Sequence, residues 1–304
     1  MALTPETIAQ NRLILPLIQQ QSAALLERFR LNPRLGAVFA TQQRWLLAHA
    51  ALAQSFSEGS EGAPLLTLSR YFNEVTKHQI ASRNTADAFI KEMLHYGYAV
   101  ATVDPNDRRS TPITVSPETL ATLRAWTMVH LQTLDRMDSG GRLAAYLETP
   151  GAFANMQIEI TKRVLTNSAI RQPQNTFSLF TWVNNGGVIM DWLITSLDAD
   201  SGDGQRYGTG ITSVSQISAW VTLSRTHLGR KLREAEAMGS MGWSGTRGES
   251  AMWVSAGFVR EMVEAQAVKL AVIDAACDVV LPRRGGQHLS SMFQTEPEPL
   301  HSPL

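Results

Sequence analysis

One pattern occurs twice in this chain, 142 residues apart, and it restricts the fold more than any other feature. A Ser-Arg pair stands 15 residues before a glycine in both places, first from Ser82 to Gly97 and again from Ser224 to Gly239. Serine is a preferred N-cap and glycine a preferred residue after a helix, so each stretch predicts one helix. Each glycine is followed by a turn-rich segment that ends in a Val-Ser pair. The repeat therefore predicts a duplicated unit.

The residues around the first predicted helix have the order of a winged helix-turn-helix. A short helix near 69–76 and a turn precede the helix that begins at Ser82, and strands at 98–102 and 113–115 follow it. Apolar residues spaced three and four apart put one face of the second helix against the core, while polar residues face outward. The second copy repeats this order with a wing about three residues shorter, as read from the same spacing rules.

Long helices are predicted on both sides of each head, which is the part that carries the helix pair and the wing. They are expected near 5–29, 35–57, 116–137, 151–167, 176–197 and 255–277. The predicted fold class is mainly α with small β wings (α+β): two winged helix-turn-helix domains flanked by long dimerisation-type helices. The predicted domains are 1–140 with a head at about 65–116 and 141–281 with a head at about 209–255. The glycine-rich stretch 198–210 is predicted as a surface loop, and 282–304 as a disordered tail.

Composition favours a cytoplasmic globular protein. No apolar run approaches the roughly 18–20 residues of a membrane span, and the N-terminus lacks a secretory signal. The single cysteine, Cys277, excludes an internal disulfide framework. Lysine plus arginine number 27, as do aspartate plus glutamate. This neutrality counts against nucleic-acid binding, so the local distribution of charge matters more.

The two predicted heads differ in local charge. Basic and acidic residues number six and five over 67–115, but five and two over 222–247. The second head is therefore expected to hold phosphates more strongly. Arginine can pair bidentately with guanine, and Arg83 and Arg225 stand where helix-turn-helix proteins contact base edges. The predicted DNA contacts are Arg83, Asn84, Thr85, Lys91, Asp107, Arg108 and Arg109 in the first head, and Arg225, Thr226, His227, Arg230 and Arg247 in the second.

The first wing resembles that of MarR-type winged-helix regulators. Asp104-Pro105-Asn106-Asp107-Arg108-Arg109, followed by Ile113-Thr114-Val115-Ser116, stands where that family has a D-x-R-[RS] motif and a Leu-Thr strand end. The stretch from Met93 to Gly97 stands where its recognition helix ends in L-x-x-x-G. The resemblance covers about 65–120. The second copy departs from it, because its wing has only Arg247 within Ser244-Gly245-Thr246-Arg247-Gly248.

The resemblance implies sequence-specific binding of double-stranded DNA by paired heads. It places the recognition helix in the major groove and Arg109, oriented by Asp107, in the minor groove. Many members of that family release DNA when a small phenolic or similar effector binds. One chain here carries two heads, so it is expected to act either as a monomeric pseudo-dimer or as a homodimer with four heads.

Other functions receive less support from the sequence. It shows no nucleophile elbow, no P-loop and no metal-like histidine spacing, so no catalytic residue, metal or cofactor is predicted. Aromatic residues line apolar ligand sites, although packing is their default role. The six tryptophans considered for an effector site are Trp45, Trp126, Trp182, Trp192, Trp220 and Trp253. The prediction is a transcriptional regulator; the alternatives are a plasmid replication initiator and a protein-interaction module that has lost DNA binding.

Overall fold

A computed structural model describes residues 2–39, 41–58, 65–102, 112–220, 225–247 and 249–282. The helices before residue 140 are α1 Pro5–Ala9, α2 Ile14–Leu31, α3 Pro33–Val38, α4 Gln42–Glu58, α5 Leu68–Lys77, α6 Arg83–His95 and α7 Pro117–Asp138. Those after it are α8 Arg142–Glu148, α9 Ala152–Thr166, α10 Ser168–Arg171, α11 Asn175–Thr181, α12 Gly186–Ser196, α13 Val214–Trp220, α14 Arg225–Ala237 and α15 Ala256–Val280. The mainly helical α+β class is confirmed.

Seven short strands form two antiparallel sheets within the described residues. Their bounds are β1 Leu65–Leu66, β2 Ala99–Ala101, β3 Ile113–Val115, β4 Leu197–Asp198, β5 Arg206–Thr209, β6 Met241–Trp243 and β7 Met252–Ser255. The sheet orders are β1-β3-β2 and β4-β5-β7-β6. In both sheets the strand before the helix pair lies beside the last strand of the hairpin. The first head is β1, α5, α6, β2 and β3; the second head is β5, α13, α14, β6 and β7.

Three of the four residues that defined the repeat behave as predicted, and the fourth, Ser224, lies outside the described residues. The Ser82 hydroxyl accepts the backbone N–H of Thr85 at 3.1 Å, which satisfies a free donor at the start of α6. Gly97 and Gly239 have φ angles of +73° and +70°, in the left-handed region that lets a helix end without strain from a side chain.

The long flanking helices are more broken than the sequence predicted. The helix expected over 5–29 divides into α1 and α2, because Pro16 has no backbone N–H to continue the hydrogen bonding of a single helix. The helix expected over 176–197 divides into α11 and α12, where Asn185 adopts a φ of +57°. The predicted loop over 198–210 contains β5, and α8 and α10 were not predicted.

Equivalent helices of the two halves pack across each other. α4 lies against α9 of the second half, and α12 lies against α2 of the first. α1 packs on α15, while α8 packs on α7. One cluster of buried apolar residues runs through both halves, and the predicted boundary at Gly140-Gly141 falls between α7 and α8. Each half therefore buries part of its apolar surface on the other.

A pair of aspartates repeats this reciprocity in hydrogen bonds. Near the end of α15, the Asp274 carboxylate accepts the backbone N–H of Leu3 at 2.6 Å. Near the end of α7, the Asp135 carboxylate accepts the backbone N–H of Leu143 at 2.9 Å. Arg142 donates to both carboxylates, and its guanidinium also binds Asp138 at 2.6 Å. Leu3, at the start of the first half, is thus bonded to the last helix of the second half. Leu143, at the start of the second half, is bonded to the last helix of the first.

None of the helices in the described ranges is long and apolar enough to cross a membrane. The predicted tail lies outside the described residues from 283 onward.

We predict that Asp274→Ala lowers the free energy of unfolding by about 1.5–3 kcal/mol, because Leu3 and Arg142 both lose a charged hydrogen-bond acceptor. Chemical denaturation measures this loss. Glu27→Ala is the matched control, since Glu27 forms an exposed ion pair with Arg30 and should change stability by about 1 kcal/mol or less. Equal losses in the two variants would show that the Asp274 contacts are not structural.

Candidate nucleic-acid interface

The N-terminal turn of α6 is an exposed polar surface on the first head. Arg83, Asn84 and Thr85 are all exposed there. The Arg83 guanidinium lies 4.7 Å from the centroid of the Phe72 ring, a cation–π distance that restrains the long side chain. About two turns after Arg83, Lys91 is exposed and binds Asp87 at 2.7 Å. The structure therefore brings these four predicted contacts onto one helix, with the charge of Lys91 partly compensated.

Two arginines outside the first head, Arg44 and Arg171, form hydrogen bonds with it. Arg44 of α4 makes a bidentate ion pair with Glu92 of α6, at 2.8 and 2.9 Å. Arg171, at the end of α10, donates to the carbonyl of His78 in the turn between α5 and α6. Bidentate pairs fix orientation as well as distance, so α6 is held in a defined position relative to the rest of the molecule.

The segment that joins the two strands of the first wing lies outside the described residues. Asp107, Arg108 and Arg109 lie in 103–111, outside the described residues, and their contact with DNA stays a prediction. The strands that carry this wing are paired in register, with Ala101 opposite Ile113.

α14 carries the corresponding surface of the second head. Thr226 is exposed, His227 is half-buried and the side chain of Arg230 is 61% exposed. Arg230 lies 3.9 Å from Glu234, whose carboxylate also binds Lys231 at 2.6 Å. Arg225 begins α14, but its side chain is outside the described part of the structure.

The second wing is hydrogen bonded to α14 of the same head. Arg247 donates to Glu236 of α14 at 2.9 Å, and the Trp243 indole N–H donates to the same carboxylate at 2.8 Å. Arg247, a predicted DNA contact, therefore has an intramolecular partner, which the sequence did not indicate. Arg206 of β5 was also missed, and its guanidinium lies 4.0 Å from the Trp253 ring centroid. The sequence placed Arg206 in a predicted surface loop, so no role was predicted for it.

A cavity of about 560 Å³ lies between the two halves. Trp45 and Trp126 line it, whereas Trp182 is 55% exposed. Trp192 and Trp243 pack at the edge of the buried core. The volume falls within the range of about 300–1,000 Å³ that is usual for small-molecule sites. Two of the six tryptophans considered from sequence thus reach a common site.

Equivalent contacts on the two sides of this cavity use different chemistry. His49 on α4 lies against Thr161 of α9, whose hydroxyl is 3.5 Å from His49 Nδ1 and also donates to the His49 backbone carbonyl at 3.1 Å. Asp191 on α12 accepts the hydroxyl of Ser22 of α2 at 2.8 Å. Burial lowers the pKa of His49 to about 4. Burial raises the pKa of Asp191 to about 6, against the opposing effects of Lys269 and Ser22.

Within the described ranges no group of three or more histidine, cysteine, aspartate or glutamate side chains could hold a metal ion. Comparisons of the chain with protein-family models, with curated proteins and with solved structures find no match.

The two shifted pKa values predict pH effects of opposite sign. His49 takes up a proton more readily when unfolded, so it destabilises the fold as pH falls from 6.5 to 4, by about 3 kcal/mol. Asp191 holds its proton more tightly when folded, so the fold gains a similar amount as pH falls from 6 to 4.

Replacing His49 and replacing Asp191 should therefore change the pH dependence of the free energy of unfolding in opposite directions. Relative to the parent, His49→Gln should gain stability between pH 6.5 and 4, and Asp191→Asn should lose it. Denaturation at several pH values measures both slopes. Parallel curves for the parent and the two variants would refute the assigned protonation states.

Proposed function

We propose that the protein is a sequence-specific DNA-binding transcriptional regulator. The observation that carries this proposal is the duplicated head, in which a strand, two helices and a hairpin present an exposed polar helix start. Arg83, Asn84 and Thr85 are exposed together at the start of α6. Arginine there can reach guanine O6 and N7 in the major groove, and the neighbouring polar side chains can bind phosphate or base edges. The winged helix-turn-helix identity of the heads and the kinship with MarR-type regulators belong to the same proposal.

The reciprocal packing supports action as a monomeric pseudo-dimer. Regulators with one head per chain pair two chains to read two half-sites, about one helical turn apart. Here α2 packs on α12 and α4 packs on α9 within a single chain. The chain thus supplies internally the helix pairing that a dimer would supply. A cytoplasmic location and tuning by a small aromatic effector complete the proposal.

The heads are proposed to have unequal roles. Glu92 links α6 to Arg44, but the residue 142 positions after Arg44 is Gly186, which has no side chain for such a pair. The second wing arginine is occupied by Glu236. We propose that the first head reads sequence from a fixed position, while the more basic second head adds affinity through phosphate contacts.

We predict that Arg83→Ala and Arg225→Ala each reduce discrimination between the selected DNA site and a scrambled duplex, by about 1–3 kcal/mol. Arg109→Ala should instead weaken binding to both duplexes. The assay is a titration by fluorescence anisotropy, on DNA selected from a random pool, at two salt concentrations.

Lys162→Ala is the charge-matched control, since Lys162 lies on α9, outside both heads. It should bind like the parent. Equal discrimination by the parent, the control and both head variants would refute the helix assignments. Affinity that stayed weak for every duplex, without salt dependence, would refute DNA binding itself. Protection of tandem repeats at a replication origin in a footprint would favour an initiator instead.

A further inference from the structure

Phe72 of α5 places an aromatic ring beside the first residue of α6. The guanidinium carbon of Arg83 lies 4.7 Å from the centroid of that ring, within the range of a cation–π contact. Phe72 is only 6% exposed, and its ring centroid lies 5.6 Å from that of the fully buried Tyr71. The ring is therefore a fixed part of the core, whereas the arginine over it is exposed.

The N–H groups of Arg83 are not used within the molecule. Its guanidinium makes no hydrogen bond or ion pair with any residue in the described ranges. Asp87, the acid one helical turn further on, binds Lys91 at 2.7 Å instead. An aromatic ring contacts a guanidinium through its face, while the five N–H groups lie in the guanidinium plane. The contact with Phe72 thus restrains Arg83 and leaves its N–H groups available to a ligand.

The two residues that follow Arg83 are engaged differently. The Thr85 hydroxyl lies 2.9 Å from the Ser82 hydroxyl, which also caps α6. The Asn84 side chain is exposed and makes no hydrogen bond within the part of the chain that the structure describes. Of these three predicted contacts, Arg83 is therefore the one that is both restrained and available.

The second head has valine at the position of this ring. The offset of 142 residues between the two Ser-Arg pairs also relates Val75 to Ile217, and both are fully buried. The same offset places Val214, the first residue of α13, at the position of Phe72. Valine has no π electrons with which to attract a guanidinium. The two heads therefore differ in the support that they offer the arginine at the helix start.

We propose that Phe72 is the positioning residue for base recognition in the first head, because its ring holds the Arg83 guanidinium for bidentate binding to guanine. Bidentate binding to O6 and N7 requires one orientation of the guanidinium. An arginine that is restrained beforehand loses less side-chain freedom on binding than one that rotates freely. This role rests on the proposed binding of DNA by the first head, and Phe72 acts through Arg83 without touching the base.

The ring should affect specificity more than overall affinity. Attraction to phosphates depends on charge, which Arg83 keeps in any orientation. Discrimination between bases depends on orientation as well. Removal of the ring should therefore narrow the difference between correct and incorrect bases more than it weakens salt-dependent binding to any duplex.

The test compares guanine with 7-deazaguanine, in which a C–H group replaces the N7 acceptor. Each guanine of a duplex selected from a random pool is replaced in turn, and affinities are measured by fluorescence anisotropy on the full chain. The parent should bind one of the modified duplexes about fivefold or more weakly, as expected for the loss of a base contact. Arg83→Ala should bind that duplex and the unmodified one equally, which identifies the guanine that Arg83 contacts.

Phe72→Leu should lower this affinity ratio to about half of the parental value or less, because the guanidinium is no longer held. Phe72→Tyr keeps a ring and should retain the parental ratio. A double-mutant cycle isolates the path from ring to base. Phe72→Leu should leave the ratio unchanged when Arg83 is already replaced by alanine. A purely structural role of the ring would weaken binding to both duplexes alike in either background.

Phe153→Leu is the matched control. Phe153 is 2% exposed on α9, outside both heads, and Arg124 lies over its ring at 4.8 Å. Both leucine variants lose a buried ring, and melting curves measure the stability that each loses. The control should keep the parental ratio. A parental ratio in Phe72→Leu, or an effect of Phe72→Leu on the ratio that persists in the Arg83→Ala background, would overturn the proposal.

A measurement without DNA separates the role of Phe72 from the proposed function. The ring current of Phe72 should shift the NMR signals of the Arg83 side chain in the free protein, and Phe72→Leu should remove that shift. The shift together with no binding to any duplex would refute the regulator proposal, and the role of Phe72 with it. Normal DNA binding by a parent that lacks the shift would refute the role of Phe72 alone.

Discussion

The packing of each half against helices of the other is the constraint on which the rest of this structure depends. α2 and α9 are amphipathic helices that bury apolar surface on the other half of the chain. α2 packs on α12, and α9 packs on α4. Burial of apolar surface contributes about 25 cal/mol per Å², so exchanging such faces stabilises both halves at once. Asp274 and Asp135 then fix the ends by hydrogen bonds to backbone N–H groups. The heads extend from a shared core whose geometry neither half sets alone.

Duplication of one unit has led to divergence at the positions where the halves meet. Arg44 binds Glu92 and orients the first head, whereas Gly186 at the equivalent position cannot. Trp45 and Trp126 line the central cavity from the first half, whereas Gly187 and Ala265 line it from the second. Both differences remove side chains from the second half. One consequence is that the Arg44–Glu92 ion pair of the first head has no counterpart at Gly186 in the second half.

Local signals in the sequence predicted the heads well. Ser82, Gly97 and Gly239 act through their own backbone geometry, so caps and helix ends could be read without knowing the tertiary fold. The polar start of α6 was also placed correctly, because helical spacing alone decides which residues of an amphipathic helix face outward.

What depends on distant contacts could not be read in this way. The packing of α1 on α15 joins residues far apart in the chain, and no spacing rule encodes it. Arg247 looked available for DNA because its partner Glu236 lies on another element, 11 residues away. The equivalence of His49 and Asp191 likewise emerges only once both side chains are seen to meet a hydroxyl group of the other half.

The mass of the free chain in solution tests this account most directly, because the internal pairing already covers the helix faces that would join two chains. Light scattering coupled to size exclusion should give one species at the chain mass of 33.4 kDa across a range of micromolar concentrations. A stable species of twice that mass, persisting on dilution, would contradict the account, since the helices would then pair between chains instead of within one.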